Sequence, residues 1–132
     1  MKRPLNEGWL SLGSNVRGAA GNISSASTYL TEIDGSLSIS KVYQTPALNG
    51  RDADYCNAVA RIITSLSFEE LNLKCKQIER QLGRTPESKL VGRVEIDIDI
   101  VVWNGDVVRP KDFSHSYFTI GYNQIKEVAL RL

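Results

Sequence analysis

Apolar residues recur along this chain in two rhythms, and the change from one to the other marks off its elements. Trp9 to Leu12 is a short apolar run that stops at Gly13-Ser14-Asn15, a turn signature, so it is predicted as a strand leading into a loop. From Ala19 the positions Ala19, Ile23, Ala26, Leu30 and Ile33 follow helical spacing, and Asp34-Gly35 ends the pattern. Ser36 to Tyr43 alternates through Leu37 and Ile39, less regularly at Val42, until Thr45-Pro46 breaks it. Tyr55 to Leu66 is rich in strand formers around Val59, Ile62 and Ile63. The polar segment 46–54 between these two runs contains Asn49-Gly50 and is longer than a tight hairpin needs, and long loops in small domains are often functional.

Ser67-Phe68-Glu69-Glu70 is a capping box, after which Phe68, Leu71, Cys75, Ile78 and Leu82 mark one helical face as far as Gly83. Arg84 to Gly92, polar and interrupted by Pro86, predicts a mobile loop. Val94 to Val101 is the most regular strand pattern in the chain. Val101-Val102-Trp103, Asn104-Gly105 and Asp106-Val107-Val108 then predict a two-residue hairpin, because Asn-Gly favours the type I′ turn. Asn123 to Leu132, with Ile125, Val128 and Leu132 on one face, predicts a short last helix. The order βαββαβ, with an added hairpin and a short C-terminal helix, predicts an α+β ferredoxin-like sandwich forming one domain over residues 1–132.

Strand parity then singles out a chemistry. In Val94-Glu95-Ile96-Asp97-Ile98-Asp99-Ile100 the apolar residues share one face and Glu95, Asp97 and Asp99 share the other. Carboxylates stacked about 7 Å apart along a strand repel unless water or cations neutralise them. Mg2+ takes hard oxygen ligands, typically one or two carboxylates with substrate phosphates, which suits Asp97 and Asp99. Asp is also a poor strand former, so two of them inside the most regular strand point to a local requirement. Arg84 and Arg93 flank the strand and suit a phosphate cradle. A plain solvated outer face remains open on pattern alone.

Composition narrows the partners. Sixteen basic against fifteen acidic residues give a net charge of +1, which lacks the positive excess that duplex binding uses, so nucleic acid is not an expected partner. Cys56 and Cys75 have no zinc-ligand spacing and read as reduced core thiols. The N-terminal residues lack an apolar signal core and no apolar run is long enough to span a bilayer, so a cytoplasmic protein without a membrane partner is expected.

Six motifs occur in order: Leu12-Gly13-Ser14-Asn15, Tyr43-Gln44-Thr45-Pro46-Ala47-Leu48, Asp54-Tyr55-Cys56-Asn57-Ala58-Val59, Ile78-Glu79-Arg80-Gln81-Leu82-Gly83-Arg84, Ile96-Asp97-Ile98-Asp99-Ile100, and His115. In this the chain resembles the 6-hydroxymethyl-7,8-dihydropterin pyrophosphokinases of folate biosynthesis. The resemblance implies the ferredoxin-like fold and transfer of pyrophosphate from ATP to the hydroxymethyl pterin, releasing AMP, with two Mg2+ between Asp97, Asp99 and the triphosphate. It implies a pterin pocket of Thr45, Leu48, Tyr55 and Asn57, with Tyr122 stacking from the other side. It also implies ATP contacts from Arg84, Arg93, His115 and Glu79, with Arg84 compensating charge on the transferred group. The chain departs from the pattern where family members carry further arginines: Val94, Pro86 and Ile120 or Gly121 stand at those places. A pterin or nucleotide binder of the same ancestry without catalysis, and an interaction domain with a solvated acidic strand, are the alternatives.

Overall fold

A computed structural model describes residues 3–130. Its two longest strands, β1 (Asn6–Ser14) and β4 (Tyr55–Thr64), pair antiparallel along their full length, from Asn6 opposite Thr64 to Ser14 opposite Cys56. β1 carries β5 (Asp97–Trp103) on its other side, also antiparallel. The segment predicted as one strand over 36–43 is instead two short pieces, β2 (Ser38–Ile39) and β3 (Tyr43–Thr45), which both pair with β4. A short β6 (Asp106–Val107) closes the hairpin on β5. Asn104 and Gly105 both have positive φ, 48° and 84°, as the predicted type I′ turn requires. The order β2-β4-β1-β5-β6, with β3 beside β4, is the antiparallel arrangement of a split βαβ sandwich, so the α+β expectation holds.

One face of the sheet packs on α1 (Ala19–Thr31) and α2 (Phe68–Gln81). Leu10, Leu12, Ala58, Ala60, Ile62 and the isoleucines of 96–100 meet Ile23, Leu30, Leu71 and Cys75 there. α2 begins with the predicted capping box, in which Ser67 accepts from the Glu70 N–H and Glu70 accepts from the Ser67 N–H. Burial pushes the Cys75 thiol up to about 12, so it behaves as an inert core residue.

Two sequence expectations change at the strand that carries the aspartates. β5 begins at Asp97 rather than Val94, because the Val94 carbonyl keeps one backbone bond, from the Asn15 N–H at 3.0 Å, while the Val94 N–H and the Glu95 carbonyl are held by side chains. The Val94 N–H donates to Asn15 Oδ1, and the Glu95 carbonyl accepts from Ser14 Oγ and Asn22 Nδ2. The resulting bend takes Glu95 off the Asp97 and Asp99 face and buries its carboxylate against Ser88. The 84–92 loop is also not structureless. It contains the short helix α3 (Pro86–Leu90), with Pro86 in its first turn and a Thr85–Ser88 capping box.

The opposite face is covered only in part. After α4 (Pro110–Ser114), the last helix α5 (Ser116–Leu130) starts seven residues before the predicted Asn123; Leu132, assigned to its apolar face, lies outside the described residues. β5 slips register against β1 between Trp9 and Leu10, and this bulge lets Val101 and Val102 both join Trp9, Val59 and Phe118 under α5. Gly121 sets how closely α5 approaches: a Cβ there would lie 2.8 Å from Val59 and 2.9 Å from Ser40 Oγ. The Tyr43 hydroxyl ties the same helix down, donating to the Tyr117 carbonyl and accepting from the Gly121 N–H. Helix propensity favours Ala over Gly by about 1 kcal/mol, but overpacking a close contact costs about 1–3 kcal/mol. With contacts as short as 2.8 Å the overpacking cost falls at the upper end, so Gly121→Ala should lower stability by up to about 2 kcal/mol, read as a lower urea midpoint at unchanged slope; an unchanged or raised midpoint would show that the approach is not tight.

Candidate active site

The part of the sheet face that α5 leaves open is built from cross-strand rows. Tyr43 lies opposite Asn57, Asn57 opposite Gly13, and Gly13 opposite Asp97, so four strands contribute one row. In the next row Ser11 lies between Val59 and Asp99. Gly13 supplies no side chain, which leaves a floor between Asn57 and Asp97; a Cβ there would touch the Tyr55 ring and Asn57 Oδ1. Above this floor is a cavity of about 320 Å3. Its walls are the 45–49 segment, Tyr55 and Asn57 on one side and Asp112 and Tyr117 on the other, and both Asp97 and Asp99 line it.

The structure thus brings together Thr45, Leu48, Tyr55, Asn57, Asp97 and Asp99. Asn57 is buried and donates from Nδ2 to Thr45 Oγ1 at 2.7 Å, while its Oδ1 accepts no protein hydrogen bond among the described residues. One acceptor is therefore left beside Gly13. Leu48 stands on the rim, 72% exposed. Burial raises the Tyr55 phenol, with the nearby Asp97 charge adding to it, so the ring stays neutral at physiological pH.

A second layer closes the outer edge of β5. Because β6 reaches only Val102 and Trp103, the backbone of Ile96 and Ile98 on that edge has no partner strand. Glu79, 6% exposed, accepts the Ile98 N–H at 2.8 Å; Lys76 donates to the Ile98 carbonyl at 3.0 Å; Arg84 donates to the Ile96 carbonyl at 3.0 Å. The two cations among these three also meet the aspartates. Lys76 Nζ lies 2.8 Å from Glu79, 3.4 Å from Asp99 and 3.9 Å from Asp97, and Arg84 Nη1 lies 3.0 Å from Asp97. Burial works against the Lys76 ammonium, but the Glu79 hydrogen bond and the Asp99 charge outweigh it, so its pKa is raised and the charge is kept.

Asp97 and Asp99 are not equivalent. Asp97 has 41% of its side chain exposed and Asp99 20%. Burial, followed by the charge and hydrogen bonding of Asp97, pushes Asp99 up to about 6. Two hard carboxylates facing one cavity, with mutual repulsion that a cation would relieve, fit a divalent ion such as Mg2+. Among the described residues no group of three or more His, Cys, Asp or Glu side chains is placed to hold a metal. Further ligands would come from water and a bound anion.

Several expected site residues lie elsewhere. Arg93 donates Nε to Glu95 at 2.7 Å and its side chain is 61% exposed, so its anchored nitrogen serves the Glu95 bend rather than the aspartates. From α5 it is Tyr117 that lines the cavity, whereas Tyr122, expected there, packs against Trp9, Phe113 and Phe118. The physical reason is the earlier start of α5, which turns Tyr117 to the cavity and Tyr122 to the bulge. His115 stacks on Tyr117 with centroids 5.3 Å apart, and its carbonyl accepts the Phe118 and Thr119 N–H groups that begin α5. Asp112 accepts from both Arg109 Nε and the Tyr117 hydroxyl, and Arg109 Nη1 comes within 4.0 Å of Asp99. Sequence reading missed Lys76, Arg109, Asp112 and Tyr117. Lys76 alone had a signal, lying three residues before Glu79 on the helix side next to buried Cys75. Among the described residues, no helix is long and apolar enough to cross a membrane.

Asp99 provides a test. An acid whose pKa rises from 3.8 to about 6 on folding binds more protons folded than unfolded, so its contribution to stability falls as pH climbs from about 4 to 6. Without divalent cations, Asp99→Asn should be more stable than the parent by about 1–2 kcal/mol at pH 8, and the advantage should vanish near pH 4. Urea unfolding at both pH values checks this, and equal stability at pH 8 would contradict it.

Comparison with known proteins bears on what this arrangement serves. The model of the 7,8-dihydro-6-hydroxymethylpterin-pyrophosphokinase (HPPK) family matches residues 9–128. A 2-amino-4-hydroxy-6-hydroxymethyldihydropteridine pyrophosphokinase of Aquifex aeolicus is 38% identical over 104 residues, 78% of this chain and 64% of that protein. The protein of the same name in Haemophilus influenzae is 27% identical over 104 residues, 76% of this chain and 64% of its own length. The folic acid synthesis protein fol1 of Schizosaccharomyces pombe is 34% identical over 98 residues, 72% of this chain and 13% of that protein. The chain therefore spans less than two thirds of the curated relatives it matches.

Proposed function

The chain belongs to the 7,8-dihydro-6-hydroxymethylpterin-pyrophosphokinase family, and from that membership we propose that it transfers pyrophosphate from ATP to 6-hydroxymethyl-7,8-dihydropterin, releasing AMP, as a step of folate biosynthesis. The observation that carries this reading is the single cavity in which Asn57, Tyr55 and Thr45 face Asp97 and Asp99. An amide acceptor and an aromatic wall suit a flat heterocycle with N–H donors, and a carboxylate pair beside it suits the cation that accompanies a triphosphate.

In this reading Thr45 holds the Asn57 amide so that Oδ1 is presented to the ring, while Tyr55 and Tyr117 offer faces and Leu48 covers the rim. Asp97 and Asp99 would hold Mg2+, two ions with ATP bound, and the metal would supply charge neutralisation to the phosphates. Arg84, fixed by the Ile96 carbonyl and Asp97, is aimed at charge developing on the transferred group. Lys76 and Arg109 add positive charge beside Asp99 in a chain that lacks the family's further arginines. Glu79 positions Lys76 and the Ile98 N–H and Arg93 steadies the Glu95 bend, so the ATP side relies on these two as positioning residues, while His115 backs Tyr117 on the pterin side.

AMP formation from ATP and the hydroxymethyl pterin tests the activity. The parent protein should turn over, Asp97→Ala should lose about 10³-fold in kcat, and Asn57→Ala should raise the pterin KM about tenfold with little change in that for ATP. Pterin binding without AMP from the parent protein would replace catalysis by binding alone, and neither binding nor AMP would sink the reading.

A further inference from the structure

Among the described residues two cations are tied to the edge of β5 beside the aspartates: Arg84, bonded to the Ile96 carbonyl and to Asp97, and Lys76, which makes two bonds elsewhere before it reaches Asp99 at 3.4 Å. Two of its donors go to Glu79 Oε2 and the Ile98 carbonyl, at 2.8 and 3.0 Å. Glu79 is itself buried and pinned by the Ile98 N–H at 2.8 Å. One anchor is thus the edge of β5 itself, the strand that carries Asp97 and Asp99, and the other is an α2 side chain bonded to that edge, so the ammonium is fixed relative to the pair. Arg109 differs: it is held by the surface residue pair it forms with Asp112 and comes no nearer than 4.0 Å.

Resting on the pyrophosphokinase reading, we propose that Lys76 is a built-in counter-charge that keeps the free protein from taking up a divalent cation at Asp97 and Asp99, so that the cation enters with a polyphosphate. A bare divalent ion bound between the two carboxylates would sit within a few ångströms of the Lys76 ammonium. At that range, in a partly buried site, a unit charge changes the affinity of another charge by about ten- to a hundredfold. The sign reverses for a metal–polyphosphate complex, whose net charge is negative and which the same ammonium attracts. One fixed charge thus disfavours the wrong ligand and favours the right one. Glu79 makes this possible by taking the shortest bond of the ammonium, 2.8 Å, so that the contact with Asp99 stays at 3.4 Å in the absence of any ligand.

The test is Mn2+ binding, followed by electron paramagnetic resonance for the ion alone and by calorimetry for Mn2+–tripolyphosphate. Lys76→Gln keeps amide donors for Glu79 and the Ile98 carbonyl while removing the charge, and Lys76→Arg keeps the charge. Lys76→Gln should bind free Mn2+ about tenfold or more tightly than the parent and bind Mn2+–tripolyphosphate more weakly, whereas Lys76→Arg should follow the parent in both. A folded Lys76→Gln protein with parental affinities would overturn the proposal. So would a parent protein that binds free Mn2+ as tightly as Mn2+–tripolyphosphate, a result that does not depend on any variant folding. Neither arm requires turnover, so loss of the proposed activity and loss of this inference are separate outcomes.

Discussion

Everything around the cavity follows from the need to keep two carboxylates side by side on a strand whose outer edge has no partner strand. Asp97 and Asp99 repel each other, and Ile96 and Ile98 expose backbone groups that must be satisfied. α2 and the turn after it answer both demands: Glu79 and Lys76 take the Ile98 N–H and carbonyl, while Lys76 and, beyond the helix end, Arg84 supply charge to the aspartates. The helix that packs the core through Leu71, Cys75 and Ile78 therefore also sets the electrostatics of the opposite face. Packing and site chemistry share one element, so a change in the seating of α2 would be felt at Asp99.

A second constraint shapes the space beside the pair. The bulge at Val101 gathers apolar side chains under α5 at one end of the face, and Gly121 and the Tyr43 hydroxyl hold the helix close. Because α5 covers only that end, Ser11, Gly13 and Asn57 remain open at the other. The cavity is the uncovered remainder of a sheet face that would otherwise be buried. Its polar lining is tolerated because Thr45 and Asn57 satisfy each other and the aspartates have cations nearby.

The parts legible in the sequence were those governed by local periodicity. The Ser67–Glu70 cap, the Asn104-Gly105 turn and the isoleucine alternation over 96–100 each depend on a few adjacent residues, and each appears in the structure. Where long-range hydrogen bonds decide, pattern reading fell short. Val94 and Glu95 look like strand in sequence, but Ser14, Asn15 and Asn22 hold them in a bend. The start of α5 depends on Asp112 and His115 closing the preceding turn, so the choice between Tyr117 and Tyr122 was invisible from spacing. Lys76 and Arg109 lie 23 and 10 positions from Asp99 and share no motif with it.

Membership of the pyrophosphokinase family and the geometry of the cavity both support one proposal: that Asp97 and Asp99 hold the cations that a triphosphate brings, next to a heterocycle seated on Asn57. Anomalous scattering from crystals grown with Mn2+, a non-hydrolysable ATP analogue and the pterin tests it most directly. Mn2+ peaks bridging both aspartates and the triphosphate, with the pterin edge on Asn57 Oδ1, are the predicted result. Ligands bound in the cavity with no metal at Asp97 or Asp99 would contradict it.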